Sequence, residues 1–509
     1  MGLRFLPKAG SRSLRCAAAA AALMFSACSF DQPLQGRFST DELKDVSAGD
    51  TVYLVKHNRT GTDAAAEDTG YVVSWTAGRN AAEQDCTGVS LLPERFSKGD
   101  TVPPFVRRFC AGLPYAAACP SRSTAGAAAG PDSSGGCVFH VQTDVGASYD
   151  ITAVLKSAGK RCNVWYFRRD GEPVIPDSEL DALASKFDMI YGPETELLCS
   201  PLYENASAGF ITPSDKIDIL VYDIYGDGGD GSVAGYFYPA DMYRQEFLPD
   251  GAVSNGREMI YVDSWFLSDS PESVYMTLVH EFAHLLTFVS KYVEGGEKAP
   301  FPVWYMEMIA MTVEDAFQNF LSVEDKFSPK ARLPLFNAMY GYGFTKWRED
   351  EFAAVSYSNA YAFGAYLARN YGGTALVREI ARNSGTGAAS VVAALDTLGH
   401  SLSFREVCDR FVYVVLNPAM SDPLVPSLNR GSAAGGEKLR FDSIDLRDFS
   451  IRLTDGSILR GPSVFSPGVS GRTFIGEGGF SVHRIGAGAD RIRVSKGEDG
   501  IDFRYIVRK

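Results

Sequence analysis

Four short runs in the first third are alternating in apolar and polar positions or rich in β-branched residues. These are "DTVYLVKH" from residue 50, "TGYVVSW" from 69, "CVFHVQT" from 137 and "CNVWYFRR" from 162. Successive strand residues face opposite sides of a sheet, so each run predicts a β-strand between turn residues. The period then changes. "PDSELDALASKFDMIYGPETELL", from Pro176, repeats every three to four residues with acids in its first turn, which predicts a helix. "KIDILVYDI" and "REMIYVDSWF" predict buried strands, separated by the Gly- and Asp-rich loop "YGDGGDGSVAGYFYPADMY". From Pro271 to about Ala419 almost everything is helical in period, and residues 427–438, "SLNRGSAAGGEK", read as a linker. The last stretch returns to short alternating strands such as "FSVHRIG" and "DRIRVSK". No internal repeat is present. The expected class is α+β. A central domain over 166–426, a small mixed sheet followed by a helical half, is flanked by an N-terminal β-rich domain (28–165) and a C-terminal β module (439–509).

Residues 1–27 stand apart as a targeting segment. Arg4, Lys8, Arg12 and Arg15 precede an Ala-rich run too short to span a bilayer, and small residues lead up to Cys28. This predicts export, with Cys28 lipidated as the first residue of a mature lipoprotein. Ordinary signal cleavage with Cys28 a bystander is the alternative. The whole chain carries a net charge of −13; without those four bases 45 remain against 62 acids, or −17. No basic patch stands out, so nucleic acid is not an expected partner. Cys86, Cys110, Cys119, Cys137, Cys162 and Cys199 cluster within residues 86–199. In an exported chain they predict three disulfides, with Cys408 a buried thiol on a helix.

The candidate chemistry lies in "VYMTLVHEFAHLLTFV", from Val274. Residues four apart share a helix face, so His280 and His284 can offer two imidazoles to one ion. Glu281 is rotated by about 100° from His280. That places it beside a water in the open position, where it can act as general base and then acid. The flanks are apolar, and a buried His–Glu–His cluster without compensation would be costly. A pair of hydrogen-bonded core histidines with a salt-bridged Glu is the bland alternative. A third His does not follow at the spacing of HExxHxxGxxH; none occurs before His400. The next helix, "PVWYMEMIAMTVED", offers Glu307, Glu314 and Asp315.

The order "IDILVYDI…GSVAGYF…EMIYVDS…HEFAHLLTF…WYMEMIAMTVED…AYAFGAYLARNYGG" resembles the hyicolysin-like family of zinc metallopeptidases, over roughly residues 215–375. The resemblance implies a zincin-like fold and an endopeptidase with two His and a Glu on zinc. Trp304-x-x-Glu307-x-x-Ala310 is similar to the arrangement in glutamate-liganded zinc peptidases and singles out Glu307 as the third ligand. Glu314 or Asp315 is then expected to accept an N–H from a ligand imidazole. The resemblance also implies that "REMIYVDSWF" is an edge strand for extended substrates; an ordinary core strand is the alternative. Tyr357 and Tyr361 are the candidates for steadying an oxyanion. Asp223, Asp227 and Asp230 suggest a calcium loop, but the closing bidentate Glu is absent and a solvated turn is the simpler expectation. His400 and His483 are isolated. The expected function is thus zinc-dependent peptide hydrolysis at the bacterial cell envelope, membrane-anchored or secreted. The competing classes are an inactive binding or adhesion lipoprotein on a peptidase fold, and a structural envelope lipoprotein.

Overall fold

The computed structural model describes residues 38–39, 47, 49–59, 64–66, 71–75, 135–143, 148–203, 209–228, 233–296, 301–348, 352–431, 438–453, 456–465, 473–487, 489–494 and 501–508. The expected signal, Cys28, Cys86, Cys110, Cys119, Asp230 and the low-complexity insert up to residue 134 lie outside these residues.

Along the chain, β1 (Phe38–Ser39), β2 (Thr51–Asn58), β3 (Ala64–Ala66) and β4 (Tyr71–Trp75) come first. β5 (Gly136–Gln142), β6 (Ser148–Ala158), β7 (Cys162–Tyr166), β8 (Ile217–Tyr222), β9 (Gly235–Tyr236) and β10 (Met259–Asp263) follow. These six form one sheet in the order β5-β6-β7-β8-β10-β9. β7, β8 and β10 run parallel, while β5, β6 and β9 are antiparallel to their neighbours. Every residue of β8 and β10 is buried, and strands covered on both faces read as unbroken apolar runs.

Two expectations are corrected by this sheet. The boundary at 165 falls inside it, because Cys162–Tyr166 pairs with Ile217–Val221. "REMIYVDSWF" does not supply the edge strand: β10 has β8 on one side and β9 on the other. The edge on that side is β9, two residues of the "AGYF" loop. β6, eleven residues with an alternating start, was covered only by the expectation of a β-rich region up to residue 165.

Helix α1 (Asp177–Leu197) buries Leu180, Leu183, Phe187 and Ile190 beside β6 and β7. α2 (Ser264–Asp269) is capped by Asp263, whose carboxylate accepts from Trp265 N and Phe266 N. α3 (Pro271–Phe288) packs on α1, with Phe282 edge-on to Phe187 and stacked on Tyr191. Each such buried side chain contributes about 1.5–3 kcal/mol. Then come α4 (Val303–Leu321), α5 (Leu333–Met339), α6 (Ala353–Tyr371), α7 (Thr374–Arg382), α8 (Gly387–Thr397) and α9 (Phe404–Leu416). α4 lies between α3 and α6, so this half of the chain is helical as its period indicates. A mixed α+β architecture results.

The C-terminal strands are β11 (Ser450–Arg452), β12 (Ile458–Arg460), β13 (Thr473–Ile475), β14 (Phe480–Ala487), β15 (Ala489–Val494) and β16 (Ile501–Arg508). They do not fold only among themselves. A second sheet has the order β1-β16-β2-β14, while β3 pairs with β13 and β4 with β15. The N-terminal β-rich region therefore divides, its first strands joining the C-terminal ones and its last joining the central sheet. The expected linker is packed where it is described: Ser427 and Leu428 are buried, and Ser427 Oγ donates to Asn417 O.

The three-disulfide expectation is also corrected. Cys162 and Cys199 are free buried thiols, Cys162 Sγ donating to Ala184 O and Cys199 Sγ to Leu286 O. Each faces helix backbone in the core, where a second sulfur is not presented. Cys408 is a buried thiol on α9, as expected. No described helix is long and apolar enough to cross a membrane.

Candidate metal centre

α3 buries Val274, Leu278, Val279, Phe282, Leu285 and Leu286 against the core. The remaining face turns His280 and His284 toward α4, where their side chains keep 13 % and 12 % of their exposure. Glu307 reaches them from the first turns of α4 with only 3 % left. His280 Nε2 lies 3.0 Å from His284 Nε2 and 3.1 Å from Glu307 Oε2, and His284 Nε2 lies 3.5 Å from Glu307 Oε1. A tetrahedral zinc with bonds of about 2.0–2.1 Å separates its ligand atoms by roughly 3.3 Å. The three donors therefore outline one face of such a tetrahedron. Among the described residues this is the one group of three or more His, Cys, Asp or Glu side chains able to hold a metal ion.

The protonation pattern agrees. His280 Nδ1 is 2.6 Å from Glu314 Oε1, so Nδ1 carries the proton and Nε2 turns a lone pair to the centre. That lone pair meets a carboxylate and a second imidazole nitrogen, an arrangement that calls for positive charge between them. Burial alone would push the His280 pKa down, yet the Glu314 charge and the Glu307 contact raise it well above the usual range, so where no cation stands between these groups a proton on Nε2 takes its place. Glu307 shows the converse. Burial pushes it up, but His284 and His280 hold it down at about 2. The donor set, two imidazoles and one carboxylate with a carboxylate behind one imidazole, fits zinc.

Glu281 is buried, and burial pushes its carboxyl up against the opposing pull of His280 and His284. The Phe237 backbone N–H, just beyond β9, stands near enough to favour its charged form. β9 can come this close because Gly235 has no side chain. A Cβ there would stand 2.6 Å from Thr277 Cγ2, 2.6 Å from Tyr261 O and 3.6 Å from Glu281 Cγ. Tyr236 stacks on Tyr261 at 4.1 Å, and Tyr261 is held through its hydroxyl by Asp241. Sequence reasoning missed Gly235 and the Phe237 amide; the glycine beside "YF" was the available signal.

The other candidates separate. Glu314 serves His280. Asp315 does not, because one residue along a helix is about 100° round it. It forms a fully buried bidentate pair with Arg369, at 2.6 and 3.0 Å. Tyr361 is fully buried beside that pair, with burial and then the Asp315 charge raising its pKa. Tyr357 packs edge-on to Trp347 with the Arg332 guanidinium over its ring. Neither tyrosine is placed among the three donors. Asp223 accepts from Gly228 N at 3.4 Å, and no described calcium-type cluster includes Asp223 or Asp227. His400 lies edge-on to Tyr371, and His483 shares a hydrogen bond with Ser481.

Beneath the centre, Glu194 of α1 is fully buried, and neither carboxyl oxygen has a hydrogen-bond partner. Burial raises its pKa well above the usual range, opposed by the His280 charge. A carboxyl raised in the folded state contributes stability below its unfolded pKa of about 4.3 and loses it as pH climbs toward the folded value. Glu194→Gln is therefore expected to raise the melting temperature of chelator-treated protein at pH 8 more than at pH 5. Calorimetry at the two values checks this.

The profile of the peptidase M30 family matches residues 152–412, just over half of the 509-residue chain. The neutral metalloprotease ShpI of Staphylococcus hyicus is 28 % identical over 243 residues, covering 45 % of this chain and 50 % of that protein. The chain thus spans about half the length of the curated relative it matches. The match contains both helices of the centre, α3 and α4, and the edge strand β9. By this profile and by the order of its motifs, the chain belongs to the peptidase M30 family, the hyicolysin-like metallopeptidases.

Proposed function

We propose that the protein is an exported zinc-dependent endopeptidase on a zincin-like catalytic unit. The observation that carries this is the donor triangle of His280, His284 and Glu307, with Glu281 buried near its two imidazoles. A bound zinc supplies Lewis acidity toward a carbonyl oxygen and lowers the pKa of a water. The chain's own residues do the rest. His280, His284 and Glu307 hold the ion, and Glu314 fixes the His280 tautomer. Glu281, raised by burial, takes the proton of the attacking water and returns it to the leaving amine. An extended substrate adds to the outer side of β9, the last strand of the central sheet. Export and a lipid anchor at Cys28 rest on the basic and Ala-rich start of the chain.

The test is metal content together with mass spectrometry of products from a peptide library, with and without chelator. Stoichiometric zinc and chelator-sensitive cleavage are expected. Zinc without cleavage would favour an inactive binding protein, and no zinc would favour a structural envelope protein.

The edge strand adds a prediction. Gly235→Ala must displace β9 or α3, and a shift of about 1 Å at a reacting group costs on the order of 10²-fold. kcat/KM should fall by about that factor while zinc content is kept, as steady-state assays and metal analysis of one preparation will show.

A further inference from the structure

The two ends of the chain are interleaved. β2 is an interior strand: all eight of its residues pair with β16, and it pairs with β14 along its other side. β1 pairs with β16, β3 with β13 and β4 with β15. Each of these N-terminal strands finds its described partner near the C-terminus. β14 and β16 are both antiparallel to β2, hence parallel to each other. If β2 left, they could close the gap only by forming a new parallel pair, leaving two long open edges in the meantime.

β2 is also tied in by its side chains. Val52, Leu54, Val55, Lys56, His57 and Asn58 are all buried. Asn58 Nδ2 donates to Ile475 O and Asn58 N to Gly479 O, both at 2.9 Å. Arg59, immediately after the strand, pairs with Asp409 of α9, which also holds Arg504 of β16 at 2.7 Å. One carboxylate of the helical half thus gathers both ends of the chain. The sheet is anchored to that half as well. Phe480 packs on Tyr340 at 5.0 Å and on Phe411 at 5.9 Å, and Gly476 N donates to Gly341 O.

From this topology we propose that the groove between β14 and β16 is a strand-binding site whose ligand is the chain's own segment 51–58, and that this segment stays in the active molecule and is not shed as a propeptide. Any maturing cut upstream of residue 51, or just after Arg59, leaves the strand seated. The inference does not depend on the metal centre.

The test uses the full chain with a recognition site for a sequence-specific protease inserted between residues 60 and 63. The upstream fragment then holds only Cys16 and Cys28, and reductant removes any covalent tie through them. After complete cutting, the two fragments are expected to co-elute on gel filtration and to separate only in denaturant. The melting temperature and chelator-sensitive cleavage should match the uncut insertion protein. Loss of the fragment under native conditions with collapse of the melting transition would overturn the claim that the cut strand stays seated. Departure of the fragment under native conditions, with the remainder keeping both its cooperative melting and its activity, would overturn the proposal. Melting and co-elution read the outcome even if no substrate is cleaved.

Discussion

Glu281→Gln is expected to lower kcat/KM by about 10³–10⁴-fold, the upper range for loss of a general base that also serves as acid, while zinc stays bound. The amide keeps the shape and can still meet the Phe237 region, but it cannot take a proton. Glu281 is not one of the three converging donors, so the metal should be retained at unchanged stoichiometry. Loss of zinc in this variant would move Glu281 into the ligand set and contradict the proposed roles. Activity within tenfold of the parent would remove it as the base.

Asp315→Ala and Glu314→Gln should fail in different ways, although the two residues are neighbours. Asp315 and Arg369 are fully buried against each other. Removing one partner of such a pair leaves an uncompensated charge and costs about 3–5 kcal/mol. Urea unfolding should show that loss, with the folded fraction still binding zinc. Glu314→Gln removes the acceptor for His280 Nδ1. Such partners are worth about 10–100-fold in metal affinity, so competition with a chelator should show weakened zinc and a smaller loss of stability. The same phenotype for both variants would mean that the two carboxylates share one role.

The contrast marks where sequence reasoning reached and where it stopped. His280 and His284 were legible because one helical turn encodes their relation locally. Glu307 needed a second helix, and only a likeness to other peptidases chose it among three carboxylates. Glu314 and Asp315 could not be separated, since the face each occupies depends on how α4 rolls between α3 and α6. β8 and β10 were legible as strands from their apolar runs, but their order in the sheet was not. β9 is two residues long and carries no period, so the edge that the resemblance implies was placed on β10. The interleaving of β2 with β14 and β16 was invisible for another reason: partners more than 400 residues apart leave no local mark. The cysteines were misjudged by treating compartment and clustering as enough; Cys162 and Cys199 behave as small core residues.

The central claim is that one ion is shared by α3 and α4 through two imidazoles and a carboxylate. X-ray absorption at the zinc edge of the purified full-length protein tests it most directly. The account predicts stoichiometric zinc with a first shell of nitrogen and oxygen at about 2.0–2.1 Å, two imidazoles in the outer-shell scattering, and loss of that signal in Glu307→Ala. A sulfur shell near 2.3 Å, or a spectrum unchanged by Glu307→Ala, would contradict it.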